Sequence, residues 1–93
     1  MPKKSGLIFM KAFVQEYLDG KMDRLNFDLD FNHYLVEHFP NMEREAGELA
    51  DCFSFYLSEE GHDRSEGLTD AQHKKLIRKQ YREFRSAMED GIL

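Results

Sequence analysis

Cysteine, proline and tryptophan are scarce in this sequence, and long apolar runs are absent. Of the 93 residues, one is cysteine, two are proline and none is tryptophan. A single cysteine excludes an internal disulfide, and together with the missing signal-peptide pattern this leads us to expect a cytoplasmic protein. The longest apolar runs, residues 6–10 and 52–57, are far shorter than the ~20 residues of a membrane span. The sequence therefore predicts no transmembrane segment.

The composition is that of one small globular domain. Apolar residues make up 41% of the chain and charged residues 33%, which gives too much apolar material for a disordered segment. The length allows one domain and excludes two. Two interpretations of the N-terminus stay open: the first helix begins near Leu7, or residues 1–9 form a disordered extension and the domain spans residues 10–91.

Helix-ending residues divide the chain into four segments with apolar residues at helical spacing. Gly20, Pro40 and Gly61 end the first three segments, and Thr69 and Gln72 form a capping box at the start of the fourth. The predicted helices are Leu7–Asp19, Asp23–Phe39, from near Asn41 to Gly61, and from Thr69 to a stop at Gly91. Four helices with short connections predict an all-α fold, a small antiparallel four-helix bundle.

Two segments have ambiguous patterns. Residues 25–31 alternate in the manner of a strand, but the length of the segment and the lack of a hairpin partner favour a helix. In that helix Leu25, Leu29 and Val36 form a second apolar flank, so we expect it to be buried on more than one side. Gly47 lies inside the third helix, where glycine costs about 1 kcal/mol. Either a neighbouring helix crosses closely there, or the helix begins later.

Charge is segregated along the chain, and the net charge of −5 conceals this. Residues 15–70 contain 15 acidic and 4 basic side chains, whereas residues 71–88 contain 6 basic residues and 1 acidic residue. Carboxylates on a rigid scaffold can bind a cationic protein groove, or they can serve solubility alone. The basic last helix is either a solvated face or a weak nucleic-acid-binding surface, whose candidate residues are Lys74, Lys75, Arg78 and Arg82.

Metal-binding and catalytic patterns are incomplete. Asp28, Asp30 and Asn32 match the start of an EF-hand loop, but the required glycine and final glutamate are replaced by His33 and Phe39. The pairs Asp30–His33 and Asp70–His73 are interpreted as surface residues, His62 as a solvated loop histidine, and Cys52 as a buried thiol. We expect no catalytic residues, no metal and no cofactor.

The order of several short segments resembles one family of bacterial proteins. A helix ends at residues 17–21, Leu25 and Phe27 begin the next, residues 55–60 end the third, and an acidic loop precedes a capped basic helix. This order resembles the colicin D type of immunity protein, a small acidic four-helix bundle that blocks the RNA-binding cleft of a toxin that cleaves transfer RNA. The resemblance implies that the toxin is met by Glu59, Glu60, Asp63 and Glu66, in place of RNA phosphates.

The chain departs from that family in its heavier aromatic content. It is also similar to short uncharacterised helical proteins of bacterial conjugative elements, from which no function can be carried over. We therefore expect a non-catalytic acidic protein that binds a protein partner, with the immunity role as its specific form. The alternatives are weak nucleic-acid binding and self-association, the latter if Leu29 or Phe55 lies outside the core.

Overall fold

The computed structural model describes residues 5–89, and they confirm the all-α prediction. Three α-helices are present in this range: α1 (Ser5–Leu18), α2 (Arg24–Phe53) and α3 (Asp70–Glu89). A π-helical segment, Ser54–Glu59, continues α2, and a 3-10 turn, His62–Arg64, leads towards α3. Helix α1 thus includes residues 5–9 of the predicted extension, and Leu7 is buried. Residues 1–4 and 90–93, with the predicted stop at Gly91, lie outside the described residues.

The predicted helix ends depend on local hydrogen bonds that the structure contains. The Asp23 side chain accepts a hydrogen bond from the backbone N–H of Asn26 at 2.9 Å, as an N-cap does. At the start of α3 the Gln72 N–H donates to the Thr69 hydroxyl at 3.2 Å, and the Thr69 N–H donates to the Gln72 side chain at 3.0 Å. Gly20 follows α1 with φ +83°, a value that favours glycine.

The prediction that Pro40 ends a helix is wrong, because α2 continues through it. Pro40 is exposed, so the carbonyl that loses its N–H partner lies on the side of α2 where water can bind it. The irregular backbone of α2 is instead at Ala46, with φ −164° and ψ 81°. Within residues 5–89 the second and third predicted helices are therefore one kinked element. The antiparallel four-helix bundle is not confirmed.

One continuous core joins the three helices. The apolar face predicted for the first helix is buried, and Phe27 of α2 stacks against Tyr17 of α1 with ring centroids 4.4 Å apart. Phe53 contacts Phe84 of α3 edge to face at 5.3 Å. The most deeply buried apolar side chains are Met10, Val14, Tyr17, Phe27, Phe31, Met42, Phe53, Leu57, Ile77 and Phe84.

The prediction of a second buried face on α2 is wrong. Leu25 and Leu29 are each 66% exposed and Val36 is 76% exposed. Helices α1 and α3 both pack against the opposite face, which contains Phe27 and Phe31. No helix in the described part of the chain is left to cover the outer face.

Alanine substitutions at Gly47 and Gly61 are expected to change the stability of the protein in opposite directions. A Cβ at Gly47 would have no heavy atom within 4 Å, so no helix crosses closely there, and a regular helix resumes after Ala46. We expect Gly47→Ala to stabilise the protein by ~0.5–1 kcal/mol. A Cβ at Gly61 would lie 2.7 Å from the Leu57 carbonyl oxygen, and Gly61→Ala should destabilise by ~1–3 kcal/mol. Urea unfolding of both variants tests this, and equal effects of the two substitutions would contradict it.

Candidate functional site

The four carboxylates predicted to meet a partner lie in one connection between α2 and α3. Glu59 ends the π-helical segment, Asp63 lies in the 3-10 turn, and Glu66 follows it; all three are exposed. Glu60 is half-buried and forms an ion pair with Arg64 at 3.3 Å. We call residues 59–66 the acidic turn. Three of its four carboxylates form no ion pair with lysine or arginine in the described part of the chain.

Other exposed carboxylates of α2 also lack a basic counter-ion. Arg24 pairs with Asp28 and Asp70, each at 3.3 Å, so that two carboxylates share one positive charge. Glu37 has only the histidines 33 and 38 near it, each at 3.6 Å. Within residues 5–89, exposed carboxylates without a lysine or arginine partner include Glu37, Glu43, Glu48 and Asp51. The acidic charge is therefore not cancelled within the described residues.

The alternative basic residues of α3 do not form one uniform surface. Lys74 is half-buried, with its ammonium group 5.0 Å from the centre of the Tyr17 ring. Lys75, Arg78 and Arg82 are exposed, but Arg78 donates to the Leu18 carbonyl oxygen at 3.1 Å. Arg78 and Arg82 line an open groove of about 470 Å³ between α1 and α3. The other lining residues are Gln15, Leu18, Tyr81, Arg85 and Ser86. The structure thus brings two of the four together in a groove.

A buried polar network, absent from the sequence predictions, lies between the three helices. His73 of α3 has no exposed surface. Its Nδ1 is 2.7 Å from the Tyr17 hydroxyl of α1, and its Nε2 is 3.0 Å from Asp28 Oδ1 of α2. Burial lowers the pKa of His73 despite the opposing charge of Asp28, so the ring is neutral at pH 7. Because the Asp28 carboxylate can only accept, Nε2 donates to it and Nδ1 accepts from Tyr17.

Arg24 and His62 extend this network to the acidic turn. Arg24 donates to the Ser65 carbonyl oxygen at 3.0 Å and also to that of Leu68, which fixes the connection before α3. His62 Nε2 lies 3.6 Å from Asp28 Oδ1, and its ring stacks on Phe31 with centroids 5.2 Å apart. The network therefore holds the backbone that presents the acidic turn. Its geometry indicates a structural role, since Tyr17 and His73 are inaccessible to a substrate.

Two histidine predictions are wrong. His73 was expected on the surface beside Asp70, and it is buried, while Asp70 is exposed and contacts Arg24. His62 was expected to be a solvated loop residue, but its ring packs against the core. A signal for His73 is present in the sequence, because it lies four residues before Ile77 on the same helix face. No comparable signal identifies His62, because its position depends on the fold of a turn.

The described residues contain neither a metal-binding cluster nor a membrane-spanning helix. No group of three or more histidine, cysteine or acidic side chains in residues 5–89 is arranged to hold a metal ion. None of the helices in this range is long and apolar enough to cross a bilayer. Cys52 is partly buried, and burial raises the pKa of its thiol, which disfavours the nucleophilic thiolate.

Comparisons with known proteins give no relative. Neither a family of proteins, nor a curated protein, nor a solved structure matches this chain. The resemblance to colicin D type immunity proteins stays a prediction.

The buried histidine predicts a pH dependence of stability. The pKa of His73 is lower in the folded state than in the unfolded state, so below about pH 6.5 the unfolded chain binds a proton that the folded chain does not. The free energy of unfolding should therefore fall as the pH drops through this range, by at most about 1.4 kcal/mol per pH unit for one proton. Urea unfolding at several pH values measures this.

The control separates His73 from the carboxylates, which also titrate at low pH. His73→Gln should flatten the dependence between pH 7.5 and 5.5 more than His33→Gln, a substitution at an exposed position, does. If both variants keep the dependence of the parent protein, His73 is not its source.

Proposed function

We propose that this chain is a non-catalytic, cytoplasmic binding protein whose acidic surface meets a cationic protein partner. The observation that carries the proposal is the set of exposed carboxylates on α2 and the acidic turn that have no lysine or arginine partner in the described residues. Unneutralised carboxylates on a rigid helical scaffold attract a basic protein and select against an acidic one. The scaffold in this proposal is a small antiparallel four-helix bundle, in which the kink at Ala46 separates two limbs of α2.

The most specific form of this function is that of an immunity protein. In that role Glu59, Glu60, Asp63 and Glu66 would occupy the RNA-binding cleft of a nuclease toxin, as the resemblance implies. The anchoring of the acidic turn by Arg24 supports this form, because a preorganised surface loses little conformational freedom on binding. Weak nucleic-acid binding through α3 is less favoured, since the cations there adjoin a strongly acidic body.

Neutralising the acidic turn tests the proposal. We expect the combined variant Glu59→Gln, Glu60→Gln and Asp63→Asn to bind a basic nuclease domain of the colicin D type at least about tenfold more weakly than the parent. Binding of the parent should also weaken as salt increases. Calorimetric titration measures the affinity, and circular dichroism checks that the helices persist.

A matched control removes the same charge elsewhere. Glu16→Gln, Asp19→Asn and Glu83→Gln alter three exposed carboxylates that lie outside α2 and the acidic turn. This variant should bind much more tightly than the acidic-turn variant. Equal affinities for the two variants would show that only net charge matters, and the assigned site would be wrong.

Self-association is the second candidate function, because both residues named for it are exposed. Leu29 is 66% exposed on α2, and Phe55 is 45% exposed in the π-helical segment. Exposed apolar side chains of this size are typical of surfaces that contact another molecule. A symmetric dimer would bury the same surface of each copy.

Sedimentation measures this directly. If the chain self-associates through these residues, its mass should rise with concentration, and Phe55→Ser or Leu29→Ser should lower the dimer fraction. Ile8→Ser, at an exposed apolar position of α1, serves as the control. A parent protein that stays monomeric at high concentration would exclude the second candidate.

A further inference from the structure

The outer face of α2 has a second helical stripe of apolar residues that the monomer does not use. Leu25, Leu29 and Val36 lie within about 40° of one another around the helix axis, on the side opposite Phe27 and Phe31. Asn32 completes the spacing of 4, 3 and 4 residues that is found in helices packing side by side. We call Leu25, Leu29, Asn32 and Val36 the α2 ridge. It is about 17 Å long, because eleven residues rise 1.5 Å each.

The spacing of the ridge indicates what shape would cover it. Residues at 4-3-4 spacing over three turns form a nearly straight line on the helix surface. A second helix can contact such a line along its whole length, whereas an irregular loop cannot. Leucine and valine that are two-thirds or more exposed are costly to leave in water. The occupant is therefore an amphipathic helix of about three turns or longer.

The charged residues around the ridge indicate which protein supplies that helix. Residues 24–44 contain four carboxylates, Asp28, Asp30, Glu37 and Glu43, and two arginines, Arg24 and Arg44, of which Arg24 is paired with Asp28 and Asp70. Asp28 is taken up by the buried network, whereas Glu37 and Glu43 are exposed, one residue after Val36 and about two turns beyond it. A helix that packs on the ridge and extends past Val36 is met by a net negative charge there. Complementarity favours lysine or arginine on that helix.

A second copy of the chain fits poorly. Three aliphatic side chains offer an apolar patch on the order of a few hundred Å², below the ~800 Å² per partner of a standard stable interface. The flanking charges must therefore contribute to the affinity. Two ridges placed face to face would bring two copies of the same net negative charge together, which opposes association.

We propose that the α2 ridge is a docking surface for a cationic amphipathic helix of another protein. This rests on the proposed function, since it gives the cationic partner its secondary structure and its contact surface. Long-range attraction comes from the unneutralised carboxylates, and the short-range contact comes from Leu29 at the centre of the ridge. The acidic turn and the ridge are separate surfaces, so each can fail without the other.

The test uses a synthetic peptide as the probe. The peptide has about 18 residues, long enough to be partly helical in water, with leucine spaced i, i+4, i+7 and i+11 and lysine at the flanking positions. One comparison peptide replaces lysine by glutamate, and another has the same composition in scrambled order. Fluorescence anisotropy should show the lysine peptide binding at least about tenfold more tightly than either comparison peptide, with an affinity that falls as salt increases.

Variants of the protein locate the contact. Leu29→Ser or Val36→Ser should weaken binding of the lysine peptide by about tenfold to a hundredfold, the loss expected for one buried aliphatic side chain. Ile8→Ser should leave it unchanged. Because Leu29, Val36 and Ile8 are exposed, none of the three should impair folding.

Four outcomes would overturn the inference: no binding of the lysine peptide, equal binding of the scrambled peptide, equal affinity of parent and Leu29→Ser, or a dimer of the parent that Leu29→Ser converts to a monomer. The acidic-turn variant separates the two proposals. If it binds the peptide normally while Leu29→Ser does not, the ridge is supported whatever the nuclease experiment gives. If only the acidic-turn variant loses the peptide, the ridge is wrong and the acidic surface stands.

Discussion

The arrangement of the three helices depends on the fully buried imidazole of His73 and its two hydrogen bonds. The imidazole joins a hydroxyl of α1 to a carboxylate of α2, and each of these polar groups would be costly to bury without its partner. Rotating any helix by one residue, about 100°, would break a bond and leave a buried polar atom unsatisfied. Aromatic side chains can pack in several arrangements, whereas all the hydrogen bonds of this network form in only one arrangement of the helices. Through Arg24 the same network also fixes the connection to α3, and with it the acidic turn.

The parts of the fold that the sequence predicts are those encoded by neighbouring residues. The Asp23 N-cap, the stop at Gly20 and the Thr69–Gln72 capping box each need only a few residues, and the structure contains all of them. Pro40 follows an equally local rule, yet α2 continues through it. A proline inside a helix removes one hydrogen bond and crowds the carbonyl four residues earlier, which disfavours the helix. Here both Pro40 and Val36, which carries that carbonyl, are exposed, so water can bind the freed oxygen. Burial at that position is decided by tertiary packing, which a local pattern does not encode.

The prediction for the α2 ridge is wrong for another reason. It rests on the second apolar flank that Leu25, Leu29 and Val36 form, whereas burial also requires an element that covers the flank. With one kinked α2, the helices of residues 5–89 cover a single face. The exposure of Asp63 and Glu66 follows a simpler rule, because charged residues in a glycine-flanked connection are exposed in most folds. The choice of the acidic turn as a contact surface is what the resemblance implies. His62 shows the limit of that rule, since Phe31 holds its ring against the core.

The acidic charge persists because several cations of the chain are used in other contacts. Arg78 bonds to the Leu18 carbonyl oxygen, Lys74 lies over the Tyr17 ring, and Arg85 lies over the Tyr81 ring. The first two contacts join α3 to α1, and the third lies within α3. The exposed carboxylates of α2 named above have no lysine or arginine partner in residues 5–89. With Lys74 and Arg78 in contact with α1, the outer side of α2 remains an acidic, partly apolar surface, and these are the two properties that favour a cationic amphipathic partner.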